Sequence, residues 1–377
     1  ACGAVEQRVA GAGVEREQSR GVAIGQVGHV REAADVQQRP PLVRVGDAKL
    51  ALARLLEDYA AARKAALADG TKRQHAAAQL VVSGLQQRLF SSIDAFARTL
   101  AVHRRSLEKA AAKNAQDLRR AAAETPSLSS PAPDDSDDDA PTDTERDARD
   151  EAALEAATEA TAFASASERA KAILAEMGRI ADGARGRPDV RVRWLVDWIR
   201  AHPDQRLVIF TEYTDTKRWL DQQLRGQLDL EPGDERIATF DGSTVDERRE
   251  ELKRAFNSDP ARHRLRVVVA TDAAREGLNL QNHCADLVHF DVPWNPSRME
   301  QRNGRIDRKL QRAPEVRCHY FVFVQRPADR VLRALVRKTE TIAEQLGSLT
   351  PVLDDRLRRI VEAGISATHA SELAREI

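Results

Sequence analysis

The octapeptide Gln301-Arg302-Asn303-Gly304-Arg305-Ile306-Asp307-Arg308 gathers three arginines around one glycine. Guanidinium groups are always charged and offer a planar fork of donors that matches phosphate or carboxylate oxygens. Close together they repel one another, and a bound phosphate removes that cost. Glycine is a poor helix-interior residue, so Gly304 marks the end of a short helix carrying Arg302. The competing reading is a solvated basic helix end balanced by Glu300 and Asp307.

A second set of residues suits the same chemistry. Thr211, Ser243 and Thr271 carry hydroxyls that could reach phosphate oxygens, and Gly242 and Gly277 let a backbone approach a ligand with no side chain between. They follow apolar, β-branched runs: Thr211-Glu212-Tyr213 after LVIF, Asp241-Gly242-Ser243 after IATF, and Thr271-Asp272 opening TDAAREGLNLQ after VVVA. Another run, DLVHFDV, leads into Pro293-Trp294-Asn295 and a helix with Asn295 as N-cap and Pro296 at its first position. In an open parallel sheet ligands bind at the C-terminal ends of the strands, which would collect all of these residues on one edge.

The elements that must position them follow from periodicity. RLVIFTEY, RIATF, RLRVVVAT, DLVHFDV and VRCHYFVFV alternate with helical patterns such as VRVRWLVDWIRAH and TDTKRWLDQQLRGQL. Fully apolar strands alternating with helices predict a parallel sheet covered on both faces. The tryptophans Trp194 and Trp198 fall at helical spacing with Leu195 and Ile199 and are read as core. Thr244 with Glu247 three residues on has capping-box spacing.

The expected fold is thus α/β, a parallel sheet covered by helices and preceded by long α-helical segments and an acidic disordered linker. Residues 1–47 lack periodicity and are read as disordered or poorly specified; 48–124 as a helical segment broken at Ser91-Ser92, with serine as N-cap; 125–151 as the acidic linker; 152–186 as further helix; 187–326 as the α/β domain; and 327–377 as C-terminal helices. The acidic run could also compete with nucleic acid for a nearby basic groove.

Composition excludes several classes. The 377 residues carry 59 Lys+Arg and 59 Asp+Glu, so net charge points to no partner and only its distribution informs. Cys2, Cys284 and Cys318 form no C-x-x-C pair; the latter two sit in apolar runs and are read as buried free thiols rather than disulfides or zinc ligands. No apolar run is long enough for a membrane span, no secretory leader opens the sequence, and a cytoplasmic protein is expected. No Ser/His/Asp or Cys/His arrangement falls on the strand ends.

On these motifs the chain resembles the C-terminal RecA-like lobe of superfamily-two helicases. QRNGRIDR matches Q-x-x-G-R-x-x-R, their sixth motif; VVVATDAAREGLNLQ resembles the fifth and LVIFTEYTDT the fourth, with FDGSTVDERREELKRAFN between them. The block GLNLQNHCADLVHFDVPWNPSRMEQRNGRIDRKLQ resembles the Swi/Snf-type branch, particularly bacterial members related to the RNA-polymerase-associated ATPase and phage-defence helicases. The AARE before Gly277 departs from the glycine pair of eukaryotic remodellers.

The resemblance implies an ATP-dependent motor using Mg2+, in which Arg305, Arg308 and Gln301 serve catalysis. It places Gly277, Asn279, Arg302, Arg305 and Arg308 near the nucleotide, and Thr211, Glu212, Gly242, Ser243, Thr271, Asp272 and Gly277 along nucleic acid, with DNA favoured over RNA. Asn279 stands where related RNA helicases carry an Asp near the ribose. The chain holds no G-x-x-x-x-G-K-[ST] loop and no D-E-x-H box. The ATP-gripping first lobe is expected in cis or in trans, with this chain a fragment or split subunit that is inactive alone. A non-catalytic nucleic-acid- or protein-binding module derived from such a lobe is the alternative.

Overall fold

The computed structural model describes residues 22–30, 47–112, 142–272, 279–293, 296–307 and 311–323. Among these, a six-stranded sheet runs in the order β1-β6-β5-β2-β4-β3. The strands are β1 (Val22–Val30), β2 (Leu207–Thr211), β3 (Ile237–Phe240), β4 (Val267–Thr271), β5 (Asp286–His289) and β6 (Glu315–Phe323). Strands β2 to β6 are mutually parallel, and β1 pairs antiparallel with β6. The five-stranded parallel α/β core expected from the apolar runs is present.

Period-two alternation explains why helices cover both faces. Val208, Phe210, Phe240, Val268, Ala270 and Leu287 point to one face and pack with Leu252, Phe256, Leu280 and Ile306. Leu207, Ile209, Val267, Val269 and Val288 point to the other and meet two helices. These are α6 (Val190–Ala201), through Val192, Leu195 and Val196, and α7 (Thr214–Gln227), through Trp219, Leu220 and Leu224. Trp194 lies edge-on to Phe321 at 5.5 Å, so it packs against the core as the spacing predicts. Cys284 and Cys318 are buried free thiols, and burial pushes Cys284 up to about 12.

A helical unit precedes the sheet: α1 (Asp47–Ala66), α2 (Lys72–Ser91), α3 (Ile93–Ala112), α4 (Asp143–Ala160) and α5 (Glu168–Ala184). Its core is Leu52, Leu56, Val81, Leu85, Leu89, Phe96, Leu100, Leu154, Leu174 and Met177. The break at Ser91-Ser92 is real: Ser92 Oγ accepts from Ala95 N at 3.0 Å and starts α3. A buried polar cluster sits inside this unit. Tyr59 Oη meets His103 Nε2 at 2.7 Å, and His103 Nδ1 meets Thr158 Oγ1 at 2.7 Å. Burial, with Arg63 nearby, lowers the His103 pKa to about 3, so the ring is neutral.

Four expectations change. Within the segment read as disordered or poorly specified, Val22–Val30 forms a full strand, ordered by its pairing with β6 rather than by any local pattern. The acidic linker expected over 125–151 ends sooner, because α4 starts at Asp143 with a capping box between Thr142 and Glu145. Residues 152–186, read as further helix, split between α4, which ends at Ala160, and α5, which starts at Glu168. Thr161 Oγ1 donates to Ala157 O at 2.6 Å, and Ser167 caps α5 through Ala170 N at 3.2 Å. Thr244 does not cap α8 (Asp246–Asn257), whose N-cap is Val245. Its Oγ1 accepts from Asp241 N at 3.1 Å instead. Asn295, residues 113–141 and the C-terminal helices placed at 327–377 lie outside the described residues.

Candidate functional site

The chain leaves β4 to one side of β2 and returns with β5 on the other. That reversal creates a crevice at the C-terminal ends of the strands. Thr211 and Thr271, paired in register, close the ends of β2 and β4 there. The helix α9 (Pro296–Asn303) then crosses the same edge.

Two carboxylates of the edge are held in this crevice by Arg302. Its Nε donates to Asp272 Oδ1 at 2.5 Å and its Nη2 to Asp272 Oδ2 at 2.9 Å, a forked pair with both side chains buried. Its Nη1 donates to Asp291 O at 2.8 Å. Asp291 gathers further groups: Oδ2 accepts from Thr211 Oγ1 at 2.6 Å and Ser91 Oγ at 2.5 Å, and Oδ1 from Glu212 N at 2.9 Å. Three strand ends, α9 and the α2–α3 break therefore meet on one network. The reading of Arg302 as an unpaired phosphate grip is corrected. Its charge is spent on Asp272 and Asp291, and it is an internal strut. Thr211 and Asp272, expected along nucleic acid, are likewise buried and engaged.

Glu212 sits beside this network, half-buried, accepting from Arg298 Nη1 at 3.2 Å. Burial raises its carboxyl to about 7, with Asp272 and Asp291 adding to the shift and Arg298 and Arg302 opposing it. His289, at the end of β5, is held neutral by burial and by Arg302, its pKa lowered to about 3. A neutral imidazole whose Nε2 lies 2.8 Å from Asn303 Oδ1 donates there, tying β5 to the end of α9.

The sixth-motif residues follow from this anchoring. Gln301 and Arg305 flank the buried Arg302 and Ile306 and are half-buried. The backbone of Arg305 is fixed twice: its N–H donates to Arg302 O and its carbonyl accepts from Leu280 N, both at 3.0 Å. Gly304 ends α9 as expected, donating to Glu300 O at 2.8 Å. A Cβ there would meet only ordinary contacts, 3.4 Å to Glu300 O and 3.7 Å to Gln301 O. The local fold therefore does not demand glycine.

The β3–β4 side is built differently. Asp241 Oδ1 accepts from Ser243 N at 2.9 Å and Ser243 Oγ at 2.6 Å, and Asp241 pairs with Lys217 Nζ on α7. Arg249 of α8 donates to Thr244 O at 2.6 Å and Gly242 O at 3.1 Å, fixing the loop from below. Gly242 N–H is thereby turned outward beside Thr271 Oγ1. Both meet the same group: Asp143 Oδ2 of α4, at 3.1 Å and 2.5 Å. Asn279 is exposed, and its carbonyl accepts from Asn257 Nδ2 at 2.6 Å. Gly277 and Arg308 lie outside the described residues.

Sequence reasoning missed Asp291, Lys217, Arg249 and Asp143. Asp291 and Arg249 lie inside the quoted motif blocks and Lys217 just past one of them, where an acid after a strand, or a base opposite a loop, was the available signal. Asp143 carried none, because it stands in an acidic run that read as solvated. Among the described residues no three His, Cys, Asp or Glu side chains group so as to hold a metal ion, and no helix is long and apolar enough to cross a membrane.

Residues 190–309 match the family described as the helicase conserved C-terminal domain. An uncharacterized ATP-dependent helicase of Bacillus subtilis, YqhH, is 31% identical over 150 residues, covering 40% of this chain and 25% of that protein. The chain thus spans about a quarter of that relative's length. Two solved structures resemble it distantly. The C-terminal part of the Fun30 ATPase domain is 16% identical, with a TM-score of 0.34 and coverage of 54% of this chain and 64% of that one. The Pyrococcus furiosus Hef helicase domain is 15% identical, with a TM-score of 0.36 and coverage of 69% and 50%. Residues 190–309, which match the helicase conserved C-terminal domain, contain the parallel strands β2 to β5 and the strand-end crevice that α9 crosses.

Proposed function

We propose that this chain supplies the C-terminal motor lobe of an ATP-dependent nucleic-acid translocase of the Swi/Snf-type branch, acting on duplex DNA. The observation that carries the reading is the anchoring of QRNGRIDR. Arg302 is locked into Asp272 and Asp291 at the strand ends, which supports a position for its neighbours Gln301 and Arg305 along the same edge. A guanidinium held on a rigid element can stabilise developing charge without reorganising. Arg305 and Arg308 serve as arginine fingers toward the γ-phosphate, and Gln301 couples the nucleotide to nucleic acid.

The sequence contains no phosphate loop. ATP with Mg2+, the energy source, is gripped by a companion first lobe in cis or in trans. This chain's share is the fingers and a set of backbone contacts. With Thr211, Asp272 and Arg302 committed internally, those contacts centre on Gly242, Ser243 and Thr271. They are sequence-blind and weaken with salt.

The test joins the chain to a first lobe carrying the phosphate loop and measures duplex-stimulated ATP turnover. The 377-residue chain alone is expected to be inactive. Arg305→Ala in the joined protein is expected to cut turnover by roughly 10³-fold or more. Full turnover in that variant, or hydrolysis by the chain alone that Arg305→Ala abolishes, overturns the reading.

A further inference from the structure

The Asp143 carboxylate binds the strand-end edge in the way an anionic ligand would. One oxygen accepts both from a backbone N–H with no Cβ beside it, Gly242, and from the Thr271 hydroxyl. The Lys217 ammonium is close enough for Asp143 to pull its pKa back up against the lowering caused by burial. A backbone amide and a hydroxyl converging on one oxygen, with an ammonium nearby that pairs with Asp241, are groups that suit a phosphate oxygen. Asp143 is buried in this contact although it lies in the first turn of α4, just behind an acidic stretch of sequence.

Asp143 does not act alone. Asp147 lies four residues on and Asp150 seven, so the three carboxylates share one helix face. Asp147 takes a hydrogen bond from Thr214 at the start of α7. Asp150 pairs with Arg88 at 2.8 Å, and Arg88 covers the Tyr213 ring at 4.6 Å. The face thus follows the strand-end edge from the β3–β4 loop to the residues after β2. It presents a row of negative charge where a nucleic-acid strand would present its phosphates.

We propose that the first turns of α4 are an intramolecular occupant of the nucleic-acid path, with Asp143 in the place of a backbone phosphate, and that nucleic acid binds this edge only as those turns leave it, while Leu154 and Ala157 keep the rest of the helix in the core of the helical unit. The proposal rests on the reading of this edge as a nucleic-acid surface. A helix that blocks the path lowers the apparent affinity by the fraction of molecules in which it is docked.

The experiment measures binding of a labelled blunt DNA duplex to the full chain at low and moderate salt. It compares the wild-type chain with Asp143→Ala, and with Glu168→Gln, which removes a well-exposed carboxylate from α5, as control. Asp143→Ala is expected to bind about tenfold more tightly, with Glu168→Gln unchanged. In parallel, amide hydrogen exchange across 143–151 of the wild-type chain is expected to speed up when duplex is added. That second readout decides if Asp143→Ala folds poorly. Salt-sensitive wild-type binding with no gain in Asp143→Ala and no faster exchange at saturating duplex overturns the inference and leaves the edge reading standing. No binding by either protein overturns both.

Discussion

Thr211 and Thr271 stand side by side at the ends of neighbouring strands, and each gives its hydroxyl to an aspartate. Thr211 finds Asp291, just past the next strand of the same sheet. Thr271 finds Asp143, 128 residues earlier in the chain, on a helix of another unit. The two contacts differ little in length but much in what surrounds them. Asp291 is bound up with a buried guanidinium and a backbone amide of its own domain, and only Ser91 at the α2–α3 break adds a bond from outside, so one half of the edge closes largely on itself. The other half is closed by a side chain reaching in from outside the domain. The first arrangement suits a permanent scaffold, the second a contact that can be exchanged.

The largest expected effect falls on the permanent half. Asp272→Ala leaves the Arg302 guanidinium buried without its forked partner, and breaking such a pair costs about 3–5 kcal/mol. Replacing both partners by apolar groups, Asp272→Leu with Arg302→Met, should recover most of that loss. Urea unfolding followed by tryptophan fluorescence reports it, since Trp194 and Trp219 lie in the domain core. A cost below about 1 kcal/mol for the single change would show that the network is wet and open, and the contrast between the halves would collapse.

A pH effect comes next, on the border of the same half. Glu212 is ringed by Asp272, Asp291, Arg298 and Arg302, and its folded pKa of about 7 lies above its ordinary value. Between the two values the folded state binds the proton more strongly than the unfolded chain does. Its contribution is therefore fully present below the unfolded pKa and is lost as pH rises toward 7. The size is about 3 kcal/mol. Glu212→Gln should flatten that decline. An unchanged stability–pH slope between 4.5 and 7 would place Glu212 in water rather than in the crevice.

These residues also show what the sequence could and could not reveal. The parallel strands were legible because both faces are buried, which leaves an uninterrupted apolar run at each strand. The strand-end edge was legible because its motifs sit where those runs stop. The role of Arg302 was not, since its partners lie 30 and 11 residues away and only the fold brings them together. Thr244 misled for a related reason: a hydroxyl at capping distance was already committed to Asp241. Asp143 was hidden by composition, because one carboxylate in an acidic stretch has no pattern to separate it from its solvated neighbours. β1 was hidden because an edge strand owes its order to the partner that it extends.

A smaller change sharpens the exchangeable half. Thr142 caps α4: its side chain accepts from Glu145 N, while its own N–H donates to Glu145 Oε2 at 2.8 Å. Thr142→Ala removes the cap at a cost of about 1 kcal/mol. If α4 is a separable occupant, the cost falls on its first turns. Amide exchange near Asp143 should then speed up while the unfolding midpoint of the α/β domain stays put. A matching drop in domain stability would mean that α4 is part of the scaffold, and the two halves would be alike.

The smallest expected effect concerns how α4 is held from its other side. Lys109 and Glu155 pair at 3.4 Å, and Arg105 and Glu151 at 3.7 Å, with most of these side chains well exposed. Such pairs are worth well under about 1 kcal/mol and are screened by salt. Lys109→Met should therefore change global stability by less than about 0.5 kcal/mol. Salt should mimic it, speeding exchange in the first turns of α4, whose Leu154 and Ala157 stay in the helical core, while the Arg302 network, shielded from solvent, holds. The decisive comparison is exchange at α4 against exchange at α9 over a salt titration. Parallel acceleration of the two would mean that the Arg302 crevice is no better shielded than the surface pairs. Acceleration at α4 alone is what a permanent half and an exchangeable half require.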